Sequence, residues 1–101
     1  MAQSEEASNR PEFESVDLDV DAAETHRYIE ETIKGLATSD TDEGVKYRTR
    51  GGMLVAIVEA PPEEGGEVQS KLAYRTKPAS ESATRKASKI VEALGTHTVS
   101  R

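Results

Sequence analysis

Apolar and polar positions alternate with a period of two in several stretches of this chain. In two others they recur at helical spacing. From Phe13 onward Val16, Leu18 and Val20 alternate with Asp17, Asp19 and Asp21. That is the period of a half-buried strand, although Asp, which bonds its own backbone readily, fits strands poorly. Asp21 then reads as a helix N-cap, with Glu24 three residues on as in a capping box. Ala22, His26, Ile29, Ile33 and Leu36 form the apolar stripe of an amphipathic helix. Gly35 and the polar residues 38–44 end it.

Val45, Tyr47 and Thr49 alternate with Lys46, Arg48 and Arg50. Gly51-Gly52 reads as a two-residue hairpin turn, because glycine enters φ > 0 at no steric cost. Residues 53–58, Met-Leu-Val-Ala-Ile-Val, are apolar on both faces, as in a covered central strand. Residues 60–66, with two prolines and two glycines, break the pattern. Val68, Ser70, Leu72, Tyr74 and Thr76 make one face of a further strand; Gln69, Lys71, Ala73, Arg75 and Lys77 make the other. Pro78 closes it. Ser80 caps a last helix whose stripe is Ala83, Ala87, Ile90, Val91 and Leu94, with Gly95 as its stop.

The expected order is β-α-β-β-β-α, or α-β-β-β-α if residues 16–20 stay out of the sheet. Either gives a two-layer α+β fold: an antiparallel sheet of three or four strands with two helices packed on one face. Residues 1–12 lack apolar periodicity and read as a disordered tail, 13–95 as a single domain, and 96–101 as a C-terminal tail. A domain of this size has a thin core, which favours completion by a second copy.

A two-residue turn at Gly51-Gly52 pairs Arg50 with Met53, Arg48 with Val55 and Lys46 with Ile57. Val45, Tyr47, Thr49, Leu54, Ala56, Val58, Leu72 and Tyr74 then face the helices. The outer face combines Met53, Val55 and Ile57 with Lys46, Arg48, Arg50, Lys71, Arg75 and Lys77. An oily stripe left wet costs roughly 25 cal/mol per Å². Three readings follow. The face is solvated, with Asp17 and Asp19 pairing its cations. Or it forms a homodimer through Met53, Val55 and Ile57, edged by Arg48, Arg50 and Arg75. Or it binds RNA or another anion through Lys46, Arg48, Lys71, Arg75 and Lys77.

Charge sharpens this picture. The first 43 residues carry 13 acidic and 3 basic side chains; the rest carry 6 and 10, and the net charge is −6. The acidic, Glu-rich composition resembles that of proteins from halophilic archaea. The N-terminus is polar, so no signal peptide is expected, and the longest apolar run, residues 53–58, is far too short to span a bilayer. A cytoplasmic protein without a membrane partner is therefore expected.

The chain has no cysteine, which excludes disulfides, thiolate metal sites and cysteine nucleophiles. His26 falls on the buried helical stripe and reads as a packing residue; His97 falls in the tail and reads as solvated. Two separated histidines make no metal site. No serine sits in Gly-x-Ser-x-Gly, and neither Gly51-Gly52 nor Gly65-Gly66 has phosphate-loop spacing. No catalytic residue, cofactor or metal is expected, and the chain reads as a non-enzymatic interaction module. Its partner is a second copy, RNA or another protein.

Thr84-Arg85-Lys86-Ala87-Ser88-Lys89 precedes Ile90-Val91-Glu92-Ala93-Leu94. With the α-β-β-β-α order, this run resembles a double-stranded-RNA-binding domain. The resemblance implies that Arg85, Lys86 and Lys89 contact phosphates from the final helix.

Overall fold

The computed structural model describes residues 13–61, 66–76 and 81–99. Its elements are β1 (Phe13–Leu18), α1 (Ala22–Thr32), β2 (Ala37–Thr41), β3 (Gly44–Arg48), β4 (Leu54–Glu59), β5 (Ser70–Arg75) and α2 (Glu81–Ala93), followed by a 3₁₀ turn, Gly95–His97. The fold is α+β, with one antiparallel sheet ordered β1-β5-β4-β3-β2. Five strands stand where three or four were expected. β1 does join the sheet, on the far side of β5. The additional strand is β2, drawn from the polar stretch read as a helix terminator. Its sequence Ala-Thr-Ser-Asp-Thr is exposed throughout and has no apolar alternation to reveal it. It is a strand because it completes a hairpin with β3, through pairs from Ala37↔Arg48 to Thr41↔Gly44.

Asp21 caps α1 as its sequence predicts: its Oδ1 accepts from the Glu24 N–H at 2.9 Å. The helix ends at Thr32, and Gly35 turns the chain with φ +84°. α1 packs on β4 and β5, and α2 packs on the same two strands and on α1. The helix-side core joins Leu18, Tyr47, Val58 and Leu72 of the sheet to Ile29 of α1 and to Ala83, Ala87 and Ile90 of α2. The small Ala83 and Ala87, one turn apart, let α2 lie close to the strands.

The expected hairpin register holds for half its length. Lys46 pairs with Ile57 and Tyr47 with Ala56, but Arg48 pairs with Leu54, not Val55, because a bulge interrupts the ladder. The turn is longer than two residues: the Thr49 N–H donates to the Met53 carbonyl and the Gly52 N–H to the Thr49 carbonyl, each at 2.9 Å. Gly52 takes φ +90°, the αL position that closes such a three-residue loop. Met53 therefore pairs with Thr49 and not Arg50. The bulge reverses two side chains. Val55 joins Ala56 in the helix-side core, and Leu54 moves to the outer face.

The expected C-terminal tail is docked as far as Val99. Thr98 bridges Leu18, the Val99 N–H donates to the Asp17 carbonyl at 2.8 Å, and the Asp19 N–H donates to the His97 carbonyl at 2.8 Å. The chain's own end thereby covers part of the β1 edge. Ser80, Pro78, Lys77 and residues 1–12 and 62–65 lie outside the described residues.

Candidate functional site

The outer sheet face carries a second apolar cluster: Phe13, Leu54, Ile57 and Ala73. Ile57 and Val55 are each 0% exposed, Val55 on the helix side. Met53 is half-buried and packs toward the helix-side core. The stripe expected at a dimer contact is thus not one surface, and only Ile57 of the three stays on the outer face.

Cations close over that face. Arg75 is 7% exposed, its guanidinium lies 4.8 Å from the centre of the Phe13 ring, and its Nε donates to the Leu54 carbonyl at 2.7 Å. Lys46 meets Glu43 at 2.6 Å. Lys71 stands in register between Asp17 on β1 and Glu59 on β4. Arg48 is half-buried and Arg50 is exposed in the hairpin loop. Lys77 lies outside the described residues.

Both histidines sit in chains of hydrogen bonds that sequence reasoning missed. His26 Nδ1 lies 2.7 Å from the Tyr47 hydroxyl and its Nε2 3.3 Å from Glu30. His97 Nε2 lies 2.9 Å from the Tyr28 hydroxyl and its Nδ1 3.1 Å from Asp19. In each chain the imidazole bridges a tyrosine hydroxyl and a carboxylate, one through each ring nitrogen. His97 is therefore partnered rather than solvated, and it ties residues 95–99 to α1 and β1. Burial, aided by the Glu30 charge, pushes the Tyr47 hydroxyl far above its ordinary pKa. That is the reverse of what a nucleophile needs. Burial also raises Tyr74, helped by the charge of Glu14 and its hydrogen bond. Among the described residues, no group of three or more His, Asp or Glu is placed to hold a metal ion.

The last helix provides the most distinctive surface. Ala83, Ala87 and Ile90 turn α2 toward the sheet. Ser82, Arg85, Lys86 and Lys89 recur at helical spacing along its flank. Facing them is the end of α1, where Thr32, Ile33 and Lys34 line the other wall of an open groove of about 360 Å³. Lys86 Nζ donates to Ser82 Oγ at 3.0 Å. Among the described residues, no carboxylate pairs with Lys34, Arg85, Lys86 or Lys89. Four cations thus share one groove in a protein of net charge −6. The structure brings Arg85, Lys86 and Lys89 together, and keeps them well apart in the fold from the outer-face set of Lys46, Arg48, Lys71 and Arg75.

No protein-family model, curated protein or solved structure matches this chain. The chemistry of the groove therefore has to be argued from its own residues. Lys34 and Thr32 were not among the sequence-level candidates. Lys34 follows the helical stripe by one residue and looks like any solvated lysine until α2 is packed beside it.

Proposed function

We propose that this chain is a small non-enzymatic binding module whose cationic groove between α1 and α2 takes an anionic, phosphate-bearing ligand. The observation that carries the reading is the convergence of Arg85, Lys86, Lys89 and Lys34, none of which is ion-paired to a carboxylate among the described residues. Like charges held together raise the energy of the empty groove, and an anion relieves it. Arg85 supplies a planar fork suited to phosphate oxygens, and the lysines supply point charges. Arg85 and Lys89 are separated by one helical turn, about 6 Å along the axis. That length suits a ligand with more than one phosphate, including a nucleic-acid backbone. Thr32 and Ser82 add hydroxyls to the rim.

The outer face is a weaker candidate for any partner. Val55 and Ile57 have no exposed area left to bury, and Arg75 is already engaged by Phe13 and Leu54.

The test is titration of the full chain with tripolyphosphate and, separately, with a short duplex RNA. Calorimetry at low salt should show binding that Arg85→Glu with Lys89→Glu reduces by about tenfold or more, since two charge-assisted contacts are lost. The affinity should fall with salt at a log–log slope near −2 to −4 if three or four cations meet phosphates. Arg48→Glu, on the outer face, should change little. If neither ligand binds, or if the outer-face variant is the one that matters, the groove reading fails.

A further inference from the structure

The cationic groove has a neighbour. A second cleft, of about 250 Å³, lies on the β2 side of the α1 terminus, where Ile29, Ile33 and Leu36 line it with Glu30, Gly35 and Thr38. Ile33 and Lys34 line both clefts, so the two meet at the residues that follow α1. At about 250 Å³ the second cleft is smaller than the roughly 300–1,000 Å³ that takes a drug-sized ligand. Joined to the cationic groove of about 360 Å³, it falls well inside that range.

The two halves differ in chemistry. The α2 side presents Arg85, Lys86 and Lys89. The β2 side presents three aliphatic side chains: Ile29 is buried, and Ile33 and Leu36 are half-buried. Its one carboxylate, Glu30, is exposed and lies 3.3 Å from His26 Nε2. A negative charge there repels phosphate and accepts from a neutral group that carries N–H or O–H donors.

A guanidinium stands at the mouth of the apolar half. A Cβ on Gly35 would lie 4.0 Å from an Arg50 guanidinium nitrogen, so the loop between β3 and β4 reaches across to the cleft wall. Gly35, at φ +84°, leaves that wall without a side chain. Arg50 is exposed and, among the described residues, ion-paired to no carboxylate. A guanidinium beside an aliphatic cleft is suited to stack on the face of an aromatic ring.

We propose that the ligand of the cationic groove is a small phosphorylated molecule with a planar ring at its other end, a nucleoside polyphosphate being the simplest. This rests on the anion-binding reading of the groove and sharpens it. The phosphates lie along α2, with Lys34 where the clefts meet. The ring enters the apolar cleft against Ile33 and Leu36 and stacks on Arg50. Glu30 accepts from a donor on the ring and, by repulsion, keeps the phosphates on the α2 side. Duplex RNA fits less well, because its bases are stacked inside the helix and cannot enter the cleft. Inorganic polyphosphate leaves Leu36 and Arg50 unused.

The test is calorimetric titration of the full chain with ATP and with tripolyphosphate, at the same low salt. Tripolyphosphate carries at least as much charge as ATP, so charge alone gives it equal or greater affinity. ATP should instead bind about tenfold more tightly, through the buried and stacked ring. Leu36→Asn removes the apolar contact without adding charge, and Arg50→Lys keeps the charge but loses the plane. Each should bring ATP most of the way back to the tripolyphosphate value and leave tripolyphosphate unchanged. Circular dichroism checks that Leu36→Asn, at a half-buried position, stays folded; Arg50 is exposed, so Arg50→Lys keeps the test open if it does not. In the wild type, NMR saturation of the methyl protons should transfer to the adenine ring protons. ATP that binds no more tightly than tripolyphosphate, or more tightly but indifferently to both variants, overturns this proposal and leaves the groove reading standing. Tripolyphosphate that fails to bind overturns both.

Discussion

At Gly44 two constraints meet. Its φ is +133°, where side-chain-bearing residues are strained, and a Cβ would overlap the Val58 carbonyl oxygen on the neighbouring strand. The clash is with backbone, so it cannot be relieved by a rotamer change. Gly44→Ala should therefore destabilise the domain by about 2 kcal/mol or more. Urea denaturation would check this, and a change below about 0.5 kcal/mol would show that the β2–β3 hairpin relaxes freely. Tyr47 gives a second residue-scale expectation. The unfolded chain ionises tyrosine near pH 10. Burial, with the Glu30 charge, holds the Tyr47 proton well beyond that in the folded state. A raised folded pKa means full stability below about pH 10 and a loss as pH rises from there through the folded value. The urea midpoint should fall between pH 9.5 and 11.5 (roughly the window set by that ordinary value), and Tyr47→Phe should flatten the fall. Equal slopes for the two proteins would assign the alkaline loss to other groups.

At the scale of elements, α2 and β5 were legible because burial repeats along them at their own periods, and β4 because it is a short run of apolar residues buried on both faces. α1 was legible from its cap as well: Asp21 and Glu24 sit where the capping box requires them. β2 was not legible, since a strand exposed throughout carries no alternation and is selected by its pairing with β3. The bulge at Leu54-Val55 was equally hidden. Leu and Val are both apolar, so nothing local says which faces the helices, and one slipped residue moved Val55 from the expected outer stripe to the helix-side core. The cationic groove stands between these cases. The spacing of Arg85, Lys86 and Lys89 placed them on one flank of α2, but the opposing wall of Thr32, Ile33 and Lys34 comes from the last residue of α1 and the two that follow it, some 50 residues earlier.

For the whole molecule the question is where the charge goes. The acidic first half and basic second half are interleaved by the sheet, with β1 beside β5 and β2 beside β3. Much of the cation excess on the outer face is thereby set against Glu43, Asp17 and Glu59, or folded over Phe13. What remains is a surplus of carboxylates on an acidic surface, and their mutual repulsion weakens the compact state at low ionic strength. Screening at high salt removes it, since the Debye length falls to about 3 Å at 1 M. The thermal midpoint should rise by about 5 °C, equivalent to about 1 kcal/mol, between dilute buffer and molar KCl. A flat or falling midpoint would contradict a composition suited to concentrated salt. The same screening should weaken phosphate binding in the groove, so the two measurements should move in opposite directions.

The sequence by itself determined the two-layer α+β plan, both helices, the buried stripe of α2, the three strands from Val45 to Arg75 and the flank of cations on α2; the α1 stripe did not hold, because the helix ends at Thr32 and buries Thr25 and Ile29 while Ala22 is exposed. Periodicity and capping are local, and they act wherever the chain goes. Only the tertiary structure decided the fifth strand, the bulge that divides Met53, Val55 and Ile57, the histidine–tyrosine chains and the wall that turns α2's cations into a groove. Each of these depends on residues distant in the chain meeting across a strand pair or a helix contact. Pairing across space leaves no period in the sequence from which it can be read.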